Sequence, residues 1–457
     1  MTMTVIDLGD VSDPSAGPEG CPGGGRRREA DRIRISRLIR AVIAVVAMLA
    51  LGGSGLPGRP VLNEVWSVPF SEMDTMTVLG DAVFLFRSLP SGRAELTAYD
   101  LASGTVRWTR STGGETPAWL TPLKRTGVLL VPGDEQLIER VMPDGSLVNY
   151  SYGGTLTAVD PVTGRQLWKH DGMQAAEEGS GTLLTLERDD TGRLTTLRLI
   201  GSRDGSVVWE RPPPTGTENV VVQFDGDTPA RVVTVTARGE VSLLAYADGT
   251  TRATGRLPWQ PPSMASGEGS QITTAGGLLM VLTNTETKSE VAAYDPADLH
   301  RLWSRTLPPW AYAETCGPLI CLGAAGNFTA AVEPATGEQR WDFLGSPYPG
   351  LRLGADRLLI TSGDSIPSNT VVDLATGRTI GSAASGFLAF QEPDGGLILL
   401  RGLYPELTRN AVTRLDPATG RTRTLGAISA SSRRFCDGGG RHIICGSADR
   451  LVVTAVG

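Results

Sequence analysis

A recurring turn motif constrains the fold of this chain more than any other feature. The stretch AVDPVTGRQLW (158–168) reads as a strand, a Thr-Gly turn and a returning strand that ends on tryptophan. Successive copies begin 60, 41, 45, 49, 38, 40 and 43 residues apart. A strand-turn-strand unit at a spacing of about 40–45 residues predicts a β-propeller. The other copies lie at 98–108, 293–303 and 331–341, at 371–381 and 414–424 without the tryptophan, and in weaker form at 199–209 and 244–254.

Composition agrees with an all-β chain. The 457 residues include 57 glycines and 30 prolines, 40% are hydrophobic and 20% are charged. This is too much glycine for a helical protein and too much apolar content for disorder throughout. A net charge of -7 gives no reason to expect a nucleic-acid partner. Three histidines are a small supply for acid-base or metal chemistry.

The residues of the motif suit a turn and a contact between blades. Asp160 can accept hydrogen bonds from backbone N–H groups two or three residues on, and Thr163 can add its hydroxyl. Gly164 supplies a positive φ without strain. Trp168 can fill the space against the next blade, as can Trp108, Trp303 and Trp341 in their copies. Because such residues recur at the same offsets, we interpret them as structural rather than as catalytic groups or calcium ligands.

The A-x-D-x-x-T-G-x-x-x-W frame resembles the tryptophan-docking repeat of the PQQ-like, or quinoprotein-like, β-propeller family over about residues 62–457. The resemblance implies blades of four antiparallel strands, with A innermost and D outermost, and places the Asp-Thr-Gly turn between C and D. We expect about eight blades, with seven or nine as alternatives. In this frame, 64–70 is an isolated D strand that completes a blade with strands from 441–457, which closes the ring.

The N-terminal segment differs from the repeats. Residues 1–36 are polar and rich in Gly and Pro, which is typical of a disordered tail. Seven arginines and two acids in 26–40 precede 18 uncharged residues, 41–58. We therefore expect a single transmembrane helix at 37–58, with the tail in the cytoplasm and the propeller extracytoplasmic. The alternative is a cleaved signal peptide, although the 36-residue lead is long for one.

Four cysteines fall in the expected propeller. In the repeat frame, Cys316 and Cys436 each end a strand A, and Cys321 and Cys445 each lie on the following strand B. We predict a disulfide within each hairpin, Cys316–Cys321 and Cys436–Cys445, although four cysteines allow three connectivities. A zinc site is the alternative, but only one of the two pairs has the usual C-x₂₋₄-C spacing.

The sequence lacks the features that the resemblance would require for PQQ chemistry. Quinoprotein dehydrogenases of this fold carry adjacent cysteines, a catalytic aspartate and calcium ligands, and this chain has no Cys-Cys pair. It also has no G-x-S-x-G, phosphate loop or histidine-metal motif. We therefore predict no enzymatic activity, no cofactor and no metal. A quinone-linked (PQQ) redox enzyme and a ligand sensor that signals through the helix are the alternatives.

One face of the propeller carries unusual connections. The segments that join strand D of one blade to strand A of the next combine prolines with aromatic residues, and 133–154 is a long B–C connection on the same face. Rigid aromatic loops suit recognition of a protein or peptide. We predict a membrane-anchored scaffold or receptor of the cell envelope; the alternative is that the rings pack inward. The candidate binding residues are Trp119, Trp259, Trp310, Tyr312 and Tyr348.

Overall fold

The fold is taken from a computed structural model of the chain. It describes residues 62–456 except 90–93, 113–118, 142–144, 146, 176–180, 227, 261, 264–265, 325–327, 345–349, 364–365, 404–407, 430–435 and 448. The predicted tail (1–36) and transmembrane helix (37–58) lie outside the described residues. Within the described part of the chain, no helix is long and apolar enough to span a bilayer.

The described chain is an all-β propeller, as the repeat predicts. Nine four-stranded antiparallel sheets follow one another along it, and each is one blade. The first four blades comprise β2 (Thr75–Leu79), β3 (Ala82–Ser88), β4 (Ala94–Asp100) and β5 (Val106–Thr112); β6 (Thr121–Leu123), β7 (Val128–Gly133), β10 (Thr155–Val159) and β11 (Gln166–Asp171); β12 (Met173–Gln174), β13 (Thr182–Arg188), β14 (Leu194–Gly201) and β15 (Val207–Arg211); and β16 (Thr217–Asp225), β17 (Thr228–Thr236), β18 (Glu240–Ala245) and β19 (Thr251–Arg256).

Blades 5 to 8 are formed in the same order along the chain. They comprise β20 (Gly269–Ala275), β21 (Leu278–Asn284), β22 (Ser289–Tyr294) and β23 (Arg301–Leu307); β24 (Tyr312–Cys316), β25 (Leu319–Ala324), β26 (Phe328–Val332) and β27 (Gln339–Leu344); β28 (Leu351–Leu353), β29 (Arg357–Ser362), β30 (Ser368–Asp373) and β31 (Thr379–Ser385); and β32 (Phe387–Gln391), β33 (Leu397–Gly402), β34 (Arg409–Asp416) and β35 (Arg421–Ser429).

Blade 9 is built from both ends of the described chain. Its strands are β36 (Cys436–Gly439), β37 (His442–Gly446), β38 (Arg450–Ala455) and, as the outermost strand, β1 (Glu64–Pro69). β1 pairs with β38 antiparallel, with Trp66 opposite Val453. Blade 9 also meets blade 1, because the backbone N–H of Val78 donates to the Asp437 carboxylate at 3.2 Å. Pairing the two ends in one blade leaves no open edge at the junction of the ring.

The blade number corrects the expectation of about eight. Each of the eight motif copies, including the weak copies at 199–209 and 244–254, joins strands C and D of its own blade. The split blade is the ninth. It has no copy of the motif, because its C and D strands lie at opposite ends of the sequence and no C–D turn connects them.

The core lies between the sheets. The middle strands of each blade are covered on both faces, so they read as continuous apolar runs; Val83, Phe84, Leu85 and Phe86 in β3 are all buried. The outermost strands alternate between half-buried and exposed positions, as in β5. The first strands of neighbouring sheets contact one another, which places strand A at the centre of the ring.

Strand direction sorts the connections onto two faces. Because the four strands of a blade alternate in direction, A–B and C–D turns leave by one face, and B–C and D–A connections leave by the other. We call these the turn face and the BC–DA face. A two-stranded hairpin, β8 (Gln136–Val141) and β9 (Leu147–Tyr152), is inserted in the B–C connection of blade 2 and therefore rises from the BC–DA face.

Candidate functional site

On the turn face, the C–D turn motifs satisfy their own polar groups. In blade 2, the Asp160 carboxylate accepts the N–H groups of Val162 at 2.9 Å and Thr163 at 3.0 Å. These bonds, led by that of Thr163, lower the pKa of Asp160. Gly164 has a φ of 71° and donates its N–H to the Asp160 carbonyl at 2.9 Å. The acidic group is thus held ionised and engaged within its turn, which is the arrangement of a structural residue.

Each docking tryptophan joins one blade to the turn of the next. The Trp108 ring lies on Gly164, where a Cβ would come within 2.5 Å of the indole. Its Nε1–H donates to the carbonyl of Pro161 at 3.0 Å. Trp168 lies likewise on Gly205 and donates to Ser202 at 3.0 Å. The same paired contact is made by Trp66, Trp209, Trp303 and Trp341 on the turns of the blades that follow them.

Three junctions between blades lack a tryptophan. At one of them, a small residue stands at the tryptophan position and a large apolar residue at the glycine position. Between blades 4 and 5, Ala253 stands at the tryptophan position and Leu299 at the glycine position of the next turn. Leu299 keeps the turn conformation, with a φ of 62°, and lies on Gly255, two residues after Ala253; Leu299 and Ala253 border the same core cluster. An apolar side chain therefore fills this gap from the opposite side. In the sequence, this copy has Asp298-Leu299 at the positions where other copies have Thr-Gly.

The other two junctions are closed by backbone or left open. Between blades 7 and 8, Gly381 and Gly420 bring their backbones into direct contact. Between blades 8 and 9, Thr424 replaces the tryptophan and blade 9 has no C–D turn. A cavity of about 720 Å³ lies there, lined in part by Ile428, Cys445 and Arg450. A cavity thus stands at this junction, which has no docking tryptophan.

The four cysteines lie in pairs at disulfide distance. Cys316 at the end of β24 and Cys321 on β25 have an S–S distance of 2.15 Å and a Cα–Cα distance of 5.6 Å. Cys436 on β36 lies opposite Cys445 on β37, with an S–S distance of 2.16 Å. Each pair links the innermost strand of its blade to the next strand. This pairing uses all four sulfur atoms that the alternative zinc site would need.

Two of the five candidate binding aromatics pack inward. Trp259 is half-buried against Gly239, beside the core shared by blades 4 and 5. The Tyr312 ring lies directly on Gly323 of the neighbouring strand, and burial raises its pKa to about 12. Their placement favours a packing role for both rings. Tyr348 lies outside the described residues.

The other two aromatics reach solvent on the BC–DA face. Trp310 has an unusual positive φ of 62° and covers Gly267, yet its side chain remains 51% exposed. Trp119 is 77% exposed, the largest exposure among the large apolar side chains of the described chain. Trp119 lies two residues before β6. The first residue of β6, Thr121, lies opposite Leu130 of β7, close to the end of β7 that leads into the hairpin. Trp119 therefore leaves blade 2 at the end of the sheet from which the β8–β9 hairpin rises.

The hairpin adds three exposed apolar side chains that residue-type reasoning missed. Leu137, Val141 and Leu147 are 71%, 67% and 60% exposed. Val141 lies opposite Leu147 across the hairpin, and Leu137 is four residues before Val141 on the same strand, so all three share one face. The alternation Leu-x-Glu-x-Val within 136–141 was the signal for this face. We refer to Trp119, Leu137, Val141 and Leu147 as the blade 2 patch.

One inner-strand carboxyl differs from those of the turns. Glu314 lies on β24, and its burial raises its pKa to about 7, although the N–H of Gly350 bonds to it. Burial also raises the pKa of Asp437 on β36. The two groups belong to blades 6 and 9, and each is engaged by a backbone N–H. They do not form an acid-base pair with each other.

Three groups in one turn, half-buried Asp295 and exposed Asp298 and His300, meet the distance condition for holding a metal ion. Asp295, Asp298 and His300 lie in the C–D turn of blade 5, with their ligand atoms within 4.8 Å of one another. The His300 ring bonds to Asp298 at 2.5 Å, and Asp295 accepts the N–H of Ala297 at 2.7 Å. The hydrogen bond to Asp298 raises the pKa of His300. The two bonds together account for the cluster as turn structure.

Comparison with known proteins supplies a family. The model of the family described as outer membrane protein assembly factor BamB matches residues 62–305 and 249–424. BamB from Moraxella catarrhalis is 15% identical, with a TM-score of 0.40, over 80% of this chain and 97% of that one.

Two enzymes are also among the similar structures. The dihydro-heme d1 dehydrogenase NirN is 12% identical, with a TM-score of 0.41, over 72% of this chain and 76% of that one. A quinohemoprotein alcohol dehydrogenase from Pseudomonas putida is 11% identical, with a TM-score of 0.35, over 66% and 72%. No curated protein matches the chain.

Proposed function

The chain belongs to the PQQ-like β-propeller family described as outer membrane protein assembly factor BamB, and on that premise we propose that it is a protein-interaction scaffold of the cell envelope. The description of the family names an assembly factor, a role that consists of binding other proteins. The single observation that carries the proposal for this chain is the blade 2 patch on the BC–DA face.

The blade 2 patch has the chemistry of a binding surface. Four large apolar side chains, each at least 60% exposed, project from one blade. Single exposed apolar residues are ordinary, but a group of them marks an interaction site in a soluble domain. A tryptophan among them can bury a large area at a small cost in side-chain entropy. A protein partner that covers this group would remove it from water.

The proposed envelope location is supported by one feature of the sequence and one of the structure. The apolar segment 41–58 follows an arginine-rich segment, which supports an anchor at 37–58 with the 1–36 tail in the cytoplasm. The cysteines of the propeller lie at disulfide distance, and disulfides persist in oxidising compartments outside the cytoplasm.

The proposed role is non-enzymatic. The motif aspartates are engaged in turns by backbone N–H groups, as at Asp160 and Asp416. The two inner-strand carboxyls with raised pKa lie in different blades. A purified chain should therefore give no saturable absorbance change with PQQ and calcium, and a stoichiometric change would contradict this part of the proposal.

Site-specific photocrosslinking in cells tests the scaffold function. A photoreactive residue replaces Trp119 on the BC–DA face or, as a matched control, Val162 in the C–D turn of the same blade on the turn face. Their exposures are similar, 77% and 69%. We expect one defined protein adduct from position 119 and none from position 162. Equal labelling at both positions, or none at either, would contradict a partner-binding BC–DA face.

A further inference from the structure

The β8–β9 hairpin is a sheet with an open edge. In the described part of the chain, these two strands pair only with each other. β9 lies near β13 of blade 3, so the side away from blade 3 is the outer edge of β8. Across the hairpin, the Tyr152 hydroxyl donates to the Gln136 side chain at 2.7 Å. Among the described residues, no strand pairs with the outward N–H and C=O groups of β8, which is the condition for adding another strand.

The exposed face of the hairpin alternates apolar and acidic positions along β8. Leu137, Glu139 and Val141 are all exposed and point to the same side. Their cross-strand neighbours are Ser151, Asn149 and Leu147 in turn. Among the described residues, Glu139 has no ion-pair partner. A strand added beside β8 would therefore place its own alternate side chains next to leucine, glutamate and valine.

Charge distinguishes between the occupants of this edge. The insertion 133–154 contains four carboxylates, Asp134, Glu135, Glu139 and Asp144, and one arginine, Arg140, for a net charge of -3. Two copies of the hairpin paired edge to edge would bring like charges together, which is unfavourable. A segment that carries basic residues would instead be attracted and oriented. The edge therefore suits a basic partner and disfavours a second copy.

We propose that β8 binds an extended segment of a partner protein as a third strand, with apolar and basic residues alternating on the side that faces Leu137, Glu139 and Val141. This inference rests on the proposed scaffold function and specifies its mode of recognition. Main-chain hydrogen bonds to β8 supply affinity, and the alternating side chains supply register and specificity. Leu147 on β9, opposite Val141, continues the apolar surface on the same face of the hairpin.

A synthetic peptide provides the probe. The capped peptide acetyl-Lys-Thr-Val-Thr-Lys-Thr-Val-Thr-Lys-amide has valine and lysine on one face at the spacing of Leu137, Glu139 and Val141. Binding to the purified full chain is measured by fluorescence anisotropy with a labelled peptide. Hydrogen exchange of the amides in 136–141 is measured with and without it. We expect saturable binding and at least fivefold slower exchange in β8, with no such change when glutamate replaces each lysine.

Protein variants separate strand addition from general attraction. Glu139→Lys should weaken binding about tenfold, because it replaces an attractive pair with like charges. Glu338→Lys makes the same change in net charge at an exposed C–D turn of blade 6 and should leave binding unchanged. Deletion of 135–152 should abolish binding. It joins Asp134 to Gly153, both of which have a positive φ in the chain, and keeps the β7–β10 pairing.

Several outcomes would overturn the inference. Peptide binding that survives the deletion, protection located on another blade, or an equal loss from Glu139→Lys and Glu338→Lys would each contradict strand addition at β8. Protection of β8 that depends on protein concentration without peptide would show a second copy as the occupant. A partner adduct at position 119 that persists after the deletion would overturn the hairpin inference and leave the scaffold function standing.

Discussion

The two faces of the propeller use similar residue types for different purposes. On the turn face, tryptophans, aspartates and glycines recur at fixed offsets. The aspartates and glycines bond within their turns, and each docking tryptophan packs on the glycine of the next blade. On the BC–DA face, the connections differ from blade to blade, and Trp119 and the β8–β9 hairpin expose apolar side chains. In a repeat protein, residues that recur at the same offset in each repeat therefore indicate a structural role. Residues that break the pattern are where binding should be sought.

The largest expected effect concerns the docking tryptophans. Trp168 is 7% exposed, lies on Gly205 and bonds to Ser202. Trp168→Ala should lower the free energy of unfolding by about 4 kcal/mol, since it removes a buried aromatic ring and leaves a cavity. Urea unfolding followed by tryptophan fluorescence and circular dichroism measures it. A change below about 1 kcal/mol would remove the distinction between the faces.

The junction between blades 4 and 5 offers a sharper test of packing on the turn face. Ala253→Trp introduces the tryptophan of other junctions, but Leu299 already occupies the space, so we expect a loss of about 2 kcal/mol from overpacking. The double change Ala253→Trp with Leu299→Gly should recover most of this loss. Thermal unfolding of the two single variants, Ala253→Trp and Leu299→Gly, and of the double variant measures the coupling. Additive losses would show that the two positions do not share the gap.

The buried carboxyl group of Glu314 should make the stability of the fold depend on pH in the opposite sense to the carboxylates of the C–D turns. Because the pKa of Glu314 is raised to about 7 in the folded chain, the folded state holds its proton longer than the unfolded state. The wild-type chain should then lose stability as pH rises from about 4.5 to about 7.

Glu314→Gln isolates that contribution. At pH 8 the variant should be more stable than the wild type by about 1–2 kcal/mol, after allowance for partial exposure of the group, and at pH 4 the two should match. Urea unfolding at the two pH values measures the difference. A constant difference at both values would contradict a buried titrating carboxyl.

The smallest effect on stability is expected for the BC–DA face. Because Trp119 is 77% exposed, Trp119→Ala should change the free energy of unfolding by less than about 0.5 kcal/mol. The same variant should lose most of the partner adduct in a crosslinking experiment with the photoreactive residue at Leu147. A large loss of stability would place Trp119 with the structural tryptophans instead. Tyr312→Ala serves as contrast, because that ring packs on Gly323 and its removal should destabilise blade 6.

The sequence predicted the fold well because the repeat is local. The turn of Asp160, Thr163 and Gly164 is formed by hydrogen bonds within five residues. Its pattern can therefore be recognised from the sequence alone. The expected number of blades, about eight, was one too few, because the eight motif copies mark eight blades and the split blade has no C–D turn to mark it. The exposure of an aromatic side chain was also beyond prediction. Trp119 and Trp259 occupy equivalent connections, and only the surrounding chain exposes one and covers the other.

By itself, the sequence determined the blade unit, its turn chemistry and the family, since hydrogen bonds and glycine conformation at fixed offsets act over a few residues. The tertiary structure decided the blade number and the register of the strands that close the ring, the filling of the gap at the junction of blades 4 and 5 by Leu299, and the position of the blade 2 patch. These features depend on contacts between residues that are far apart in the chain, and such contacts form only when the blades pack. The open edge of the hairpin was also decided by the tertiary structure, because a strand lies at an edge only when the fold places no second strand beside it.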